Sequence, residues 1–343
     1  MRVNKETIGN GEFYGRKIRV LELGGKVRRI EDSAFNNCPM LKEVAIPEGV
    51  ETMGGFVFQD CISIRRFRIP STLTDLAEDA FFIGRDGRLE EFVVDPGNPA
   101  LCAVDGVLFS KDMRTLVQYP QCKPGDSYVV PDTVENIAPD AFAYCTGLKS
   151  IVLPEGLRTI GGGAFEWCEF LTSIRIPQTV SGIPMYAFFC CYSLEDVVLP
   201  DRLEFLGAES FANCVRLKEF VFPPGFDQLD YAVVGGCESL VSVLIPEGIR
   251  DVNNSAFIDC PNIKTIRLPS TVVAIWEKAF QRCSGLESVN IPPEVYYVSE
   301  DAFAGCESLR TIYVEGDKIE WMGWVPEGAE VVVGNLPDSS DRS

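Results

Sequence analysis

The chain has 343 residues, of which 46% are hydrophobic, and its 50 acidic against 31 basic side chains give a formal net charge of −19. This acidity disfavours nucleic acid as a partner, because proteins that bind phosphate backbones rely on clustered Lys and Arg. No stretch approaches the roughly 20 apolar residues that cross a bilayer, so direct membrane insertion is not expected. Residues 1–6 lack the apolar core of a signal peptide, which predicts a cytoplasmic chain if this N-terminus is native.

Cysteine recurs with a period of 23 residues. The positions are Cys38, Cys61, Cys145, Cys168, Cys191, Cys214, Cys237, Cys260, Cys283 and Cys306. A residue type that recurs at a fixed period indicates one structural unit stacked many times. Because each of these cysteines lies among apolar residues, we predict reduced, buried thiols rather than disulfides. Cys102, Cys122 and Cys190 are interpreted instead as candidates for exposed or reactive thiols.

The residues between two of these cysteines repeat one apolar pattern. After Cys145 come Leu148, Ile151 and Leu153, and Pro154 follows directly. The alternation around Ile151 predicts a short strand, which ends at the proline because proline cannot donate a ladder hydrogen bond. The rest of the unit is predicted to form a turn and a tight helical or extended return segment.

Stacking these units predicts an α/β solenoid with one parallel sheet, since a single coil cannot bury its apolar side. About twelve strands are expected, beginning at Ile18, Leu41, Ile64, Leu89, Leu148, Leu171, Leu194, Leu217, Leu240, Ile263, Leu286 and Leu309. Residues 15–320 are predicted to form the repeat domain, with residues 1–14 as a lead-in. Residues 321–343 are predicted to form a cap and a polar tail, with Trp321, Trp324 and the run 331–333 as a lid over the last coil.

The period breaks once, between Pro70 and Pro131, where 61 residues replace the usual 23. The insertion covers residues 95–131. Two apolar runs, 105–109 and 115–119, flank a polar turn at 110–112, which predicts a β-hairpin. The hairpin could brace neighbouring coils or serve as a binding arm, and the pattern leaves both open.

The order Leu-x-x-Val-x-Ile-Pro, then Ile, Ala-Phe and Cys, resembles the BspA-like class of leucine-rich repeats. The stretch from Asn98 to Pro120 is also similar to an insertion that is common in bacterial members. The resemblance implies a right-handed superhelix and a binding role. It also implies a bacterial protein that is secreted or lies at the cell surface, where some members bind host proteins or other cells.

The chain has no histidine, which removes Ser-His-Asp and Cys-His catalysis and every histidine-based metal site. No Cys-x-x-Cys occurs, and a column of cysteines one coil apart does not give the converging ligands that zinc needs. We therefore predict no enzyme activity, no catalytic residue, no cofactor and no metal site.

The candidate site lies on strand positions that point away from the core. The residues selected are Arg68, Arg175, Val198, Val221, Leu244, Arg267 and Tyr313. Apolar residues on an open sheet of an acidic protein favour a scaffold or adhesin-like module that binds an unidentified protein. The family resemblance implies that this partner is a host or cell-surface protein. The alternatives are a self-assembling structural protein and a carbohydrate-binding module. The sequence does not give the oligomeric state.

Overall fold

The computed structural model describes residues 1–227, 229–315 and 325–337. The chain forms two compact units, Met1–Phe170 and Leu171–Ser343, which are described separately. Trp321 and Trp324, which were predicted to form part of a lid, lie outside the described residues. We use two names for the strands of a coil: front strands are those of the Leu-x-x-Val-x-Ile segment, and return strands are those that follow the proline.

The first unit contains sixteen strands among its described residues. They are β1 (Arg2–Val3), β2 (Thr7–Ile8), β3 (Glu22–Leu23), β4 (Arg29–Ile30), β5 (Glu43–Ala45), β6 (Thr52–Met53), β7 (Arg66–Ile69), β8 (Asp75–Leu76), β9 (Glu91–Val94), β10 (Leu101–Val104), β11 (Val107–Ser110), β12 (Thr115–Gln118), β13 (Ser127–Val129), β14 (Asn136–Ile137), β15 (Ser150–Val152) and β16 (Thr159–Ile160). Front strands pair in parallel as β1-β3, β5-β7-β9 and β13-β15. Return strands pair in parallel as β2-β4-β6-β8 and β14-β16.

The second unit contains thirteen strands among its described residues. They are β17 (Ser173–Arg175), β18 (Gly182–Ile183), β19 (Asp196–Val198), β20 (Phe205–Leu206), β21 (Glu219–Val221), β22 (Ser242–Leu244), β23 (Asp251–Val252), β24 (Thr265–Ile266), β25 (Ala274–Ile275), β26 (Ser288–Ile291), β27 (Tyr297–Val298), β28 (Thr311–Val314) and β29 (Glu330–Val333). Front strands pair in parallel as β17-β19, β21-β22 and β24-β26-β28-β29. Return strands pair as β18-β20 and β23-β25-β27.

The α/β prediction is wrong, because the described residues contain no helix. In nearly every regular coil, the residues five and one before the cysteine adopt positive φ. Ahead of Cys145 these residues are Asp140, with φ of 55°, and Tyr144, with φ of 61°. Left-handed residues stop a right-handed helix. The turn amides donate to the next coil instead, as Phe142 N does to Ala164 O at 2.7 Å. The return segment is therefore a stack of turns, whose backbone groups are satisfied between coils.

The predicted count of twelve strands is also wrong. Most return segments add a two-residue strand of their own, and three further front strands, β1, β13 and β29, were not expected. The run 331–333 belongs to β29, which pairs with β28 in register, Val332 opposite Tyr313. This run extends the sheet by one strand instead of forming a lid.

Phenylalanine rings and cysteine thiols fill the core of each unit. In the first unit Phe142 stacks on Phe165 with ring centroids 5.1 Å apart, and the Cys168 thiol donates to Phe142 O at 3.2 Å. In the second unit Cys283 donates in the same way to Phe257 O at 3.0 Å. The ten periodic cysteines are buried and form no disulfide, as predicted. Burial raises the pKa of the Cys168 thiol to about 12, so this thiol stays protonated at neutral pH.

The three other cysteines differ from one another. Cys190 is only 3% exposed, so its prediction as an exposed thiol is wrong; it occupies the left-handed position directly before Cys191. Cys122 is exposed, and it lies 23 residues before Cys145, so it belongs to the periodic series after all. Cys102 is partly buried in β10.

The insertion contains the predicted hairpin, formed by β11 and β12, and the additional strand β10, which pairs antiparallel with β11. β12 then pairs in parallel with return strand β14. Tyr119 stacks on Phe142 at 5.2 Å, in the position that phenylalanine takes in other coils. Asn98 is fully buried and donates to Pro70 O and Leu73 O at 2.7 and 2.8 Å. These contacts make the insertion a brace that takes the place of a coil.

Candidate functional site

Strand alternation determines which side chains of the front strands point away from the core. In β17, Ile174 is 3% exposed, whereas Ser173 and Arg175 on either side of it are exposed. Successive side chains of a strand point to opposite faces, so one row of each front strand packs inward and the other faces solvent. We call the solvent-facing side of the front strands the outward face.

In the first unit the outward face carries Arg68, as predicted from the alternation. Arg68 is exposed and lies in register between Ala45 on β5 and Val93 on β9. A second pair was missed: Val129 and Val152 are directly opposite each other and 67% and 52% exposed. Val129 belongs to β13, and its signal was the sequence Val-Val-Pro at the end of the insertion, which repeats the ending of a regular front strand.

In the second unit the outward face carries a row of aliphatic side chains. Val198 is opposite Arg175, and Val221 is opposite Leu244. Val198, Val221 and Leu244 are 51%, 56% and 62% exposed. The ladders of the described strands join β17 to β19 and β21 to β22, but they do not join β19 to β21. The predicted residues thus form two directly paired sets, Arg175 with Val198 and Val221 with Leu244. All four occupy the same repeat position in consecutive coils.

Acidic and hydroxyl side chains border this aliphatic row. On the same strands, Asp196, Glu219 and Ser242 are exposed two residues before the aliphatic residues. Glu219 lies opposite Ser242 in the ladder. An apolar strip with a polar border matches the arrangement of protein interfaces, in which a dehydrated centre is surrounded by a solvated rim.

The C-terminal coils present a different surface. Arg267 is exposed, but its Nη2 donates to Leu336 O and Pro337 O, both at 3.2 Å. Tyr313 is half-buried, and Asn290, which lies opposite it, is only 3% exposed. The row is therefore closed at Asn290, and a later part of the chain contacts Arg267; that Arg267 and Tyr313 bind a partner stays a prediction.

The sequence matches the family model described as the BspA type leucine rich repeat region. Six copies match, over residues 3–85, 118–237 and 233–321. The chain belongs to the BspA-type leucine-rich-repeat family. The stretch between the first two matched ranges overlaps the first part of the insertion, so the sequence of this BspA-type protein departs from the repeat where β10 and β11 replace the regular return segment.

Two solved structures share this fold. A leucine-rich repeat protein from Eubacterium ventriosum is 25% identical, with a TM-score of 0.65, and the alignment covers 89% of this chain and 76% of that one. The pneumococcal vaccine antigen PcpA is 22% identical, with a TM-score of 0.61, covering 98% of this chain and 79% of that one. A comparison with curated proteins gives no match.

No group of three or more Cys, Asp or Glu side chains in the described part of this BspA-type chain is placed to hold a metal ion. Nor does any helix within the same residues have the length and apolarity needed to cross a membrane. Leucine-rich-repeat proteins commonly bind other proteins, through the extended surfaces that stacked repeats create. The outward face is the surface of this type in each unit.

Proposed function

We propose that this BspA-type protein is a non-catalytic scaffold that binds a protein partner through the outward face of its second unit. The observation that carries the proposal is the exposed row of Val198, Val221 and Leu244. Monomeric proteins seldom leave large contiguous apolar patches in water, and such patches frequently mark partner sites. These three side chains are more than half exposed and lie at one repeat position in consecutive coils.

Arg175 adds a charged contact at one end of the row, where it lies opposite Val198. Arginine is among the residue types that contribute most of the binding energy in protein interfaces. The exposed acidic pair Asp196 and Glu219 runs beside the row, which favours a partner with an apolar centre and a basic margin.

The test replaces Leu244 with Glu, and separately Arg175 with Glu. A photo-crosslinking residue at Val221 first identifies the partner. Each substitution is then expected to weaken binding at least about ten-fold, because a carboxylate within a dehydrated contact loses its hydration without gaining a partner. The dissociation constant is measured by titration calorimetry.

Tyr296→Glu provides the matched control, since Tyr296 is 64% exposed but precedes return strand β27 and is not on the outward face. Binding that is unchanged by both Leu244→Glu and Arg175→Glu, or weakened equally by the control, contradicts the proposal.

Strand β29 supports a second function, self-assembly. Among the described strands β29 pairs only with β28, and Val333 is 60% exposed. An open strand edge can pair with another chain. Light scattering separates the two functions: association that rises with concentration and disappears in Val333→Lys favours self-assembly, and a monomer at every concentration contradicts it.

A further inference from the structure

The described chain after β29 turns back over the outward face. Gly334 has a φ of 145° and donates its amide to Val314 O at 3.0 Å. Glycine reaches such a φ without strain, because it has no Cβ. Two residues later, the carbonyls of Leu336 and Pro337 accept from the Arg267 guanidinium.

The order of the strands shows the path of this segment. Arg267 directly follows β24, and β26 and β28 lie between β24 and β29 in the sheet. Three strand spacings amount to about 14 Å. Three extended residues span about 10 Å, and the long arginine side chain covers the remainder. Residues 334–337 therefore cross the outward face above β28 and β26.

The contacts of this segment are of two kinds. One Arg267 guanidinium nitrogen donates to two consecutive main-chain carbonyls, a contact that does not depend on side-chain identity. The Leu336 side chain is only 3% exposed, so it is the apolar anchor. Pro337 restricts Leu336 to extended conformations, which holds the backbone in the form that Arg267 contacts.

We propose that the outward face above β26 and β28 is a binding site for an extended peptide with an aliphatic residue followed directly by proline, and that residues 334–337 occupy it in the free protein. The proposal rests on the proposed function, because it adds a second contact on the outward face of the same unit and names the chemistry of the partner segment that binds there. A partner segment must displace the chain's own, which a tether holds at an effective concentration in the millimolar range.

The experiment uses the full chain carrying Leu336→Asp. An aspartate at this position is not expected to stay buried, so residues 334–337 should leave the site. The probe is a fluorescent peptide with the sequence of residues 334–343. Its binding is followed by fluorescence anisotropy up to millimolar peptide. We expect saturable binding to the variant and at least about ten-fold weaker binding to the unmodified chain, since there the site is already occupied. A peptide carrying Leu336→Asp is expected not to bind.

Two further variants complete the design. A chain that ends at Val333 retains β29 and lacks the segment, so it is expected to bind the peptide like the first variant. Adding Arg267→Gln to either protein is expected to abolish binding, whereas adding Arg250→Gln, at another exposed arginine of the same unit, is not.

The two proteins with an emptied site are the Leu336→Asp variant and the chain that ends at Val333. If neither binds the peptide while circular dichroism shows both to be folded, the inference is overturned. Equal binding to emptied and unmodified proteins would overturn it as well. Neither result bears on the proposed function, whose test uses Arg175 on β17 and Leu244 on β22.

Discussion

Asp140 shows how the stacking of coils acts on a single carboxylate. It occupies a left-handed turn position, with φ of 55°, and its side chain is half-buried. Burial first, and then the negative charge of Asp79, raise the pKa of Asp140 to about 6, above its ordinary value near 3.8. The folded state therefore binds this proton more tightly than the unfolded state does. The contribution of Asp140 to stability is favourable below pH 4, and it is lost as the pH rises through 6.

Replacing Asp140 with Asn removes this ionisation and keeps a side chain that tolerates the left-handed region. At pH 7 the free energy of unfolding is expected to increase by about 1–2 kcal/mol, less than the full shift implies because the group keeps some contact with water. At pH 4 the gain is expected to vanish. Urea unfolding at both pH values measures the difference. The exposed Asp132→Asn serves as control, and an equal gain at both pH values would show that charge is not the cause.

At the scale of elements, the insertion depends on one buried amide. The Asn98 side chain donates to Pro70 O and Leu73 O and accepts from the amides of Ala100 and Leu101 at 2.9 and 2.8 Å. Asn98→Ala leaves these buried backbone groups without partners, which is expected to destabilise the protein by about 3 kcal/mol. Thermal unfolding measures the loss. Asn10→Ala, at an exposed position, is the control. If Asn98→Ala lowers the melting temperature no more than the control does, the role of Asn98 is contradicted.

Sequence patterns predicted the front strands more successfully than the return segments. Ile151 and Ile174 are buried between exposed neighbours, as alternation requires. The return segment was misinterpreted because its apolar spacing fits a helix and a turn equally well. What decides between them is hydrogen bonding to the next coil, as from Phe142 N to Ala164 O, and no local pattern contains that information.

The same distinction applies to the candidate site. The exposure of Val198, Val221 and Leu244 followed from alternation within each strand. The contact of Arg267 with Leu336 could not be predicted, because it joins residues 69 apart in sequence and lies outside the repeat. Which residues bind a partner stays a prediction until the substitutions are measured.

At the scale of the whole molecule, charge governs stability more than any single ion pair does. The formal net charge of −19 means that the excess acidic side chains repel one another in the folded state. Salt screens this repulsion. We expect the melting temperature at pH 7 to rise as ionic strength increases from about 10 mM to about 150 mM. Calorimetry measures the shift. Near the isoelectric point of about 4.5 the salt effect is expected to be much smaller, and an effect of equal size there would contradict this explanation.

The cysteine series has a consequence for the lifetime of the fold. Burial protects its thiols from oxidants in the native chain, except at the exposed Cys122. Once a coil opens, however, its thiol can ionise and pair with others that the regular spacing brings within easy reach along the flexible chain. Unfolding in air therefore becomes irreversible. In an oxidising environment, the lifetime of the native state is set by the rate at which coils unfold and not by the equilibrium free energy of unfolding.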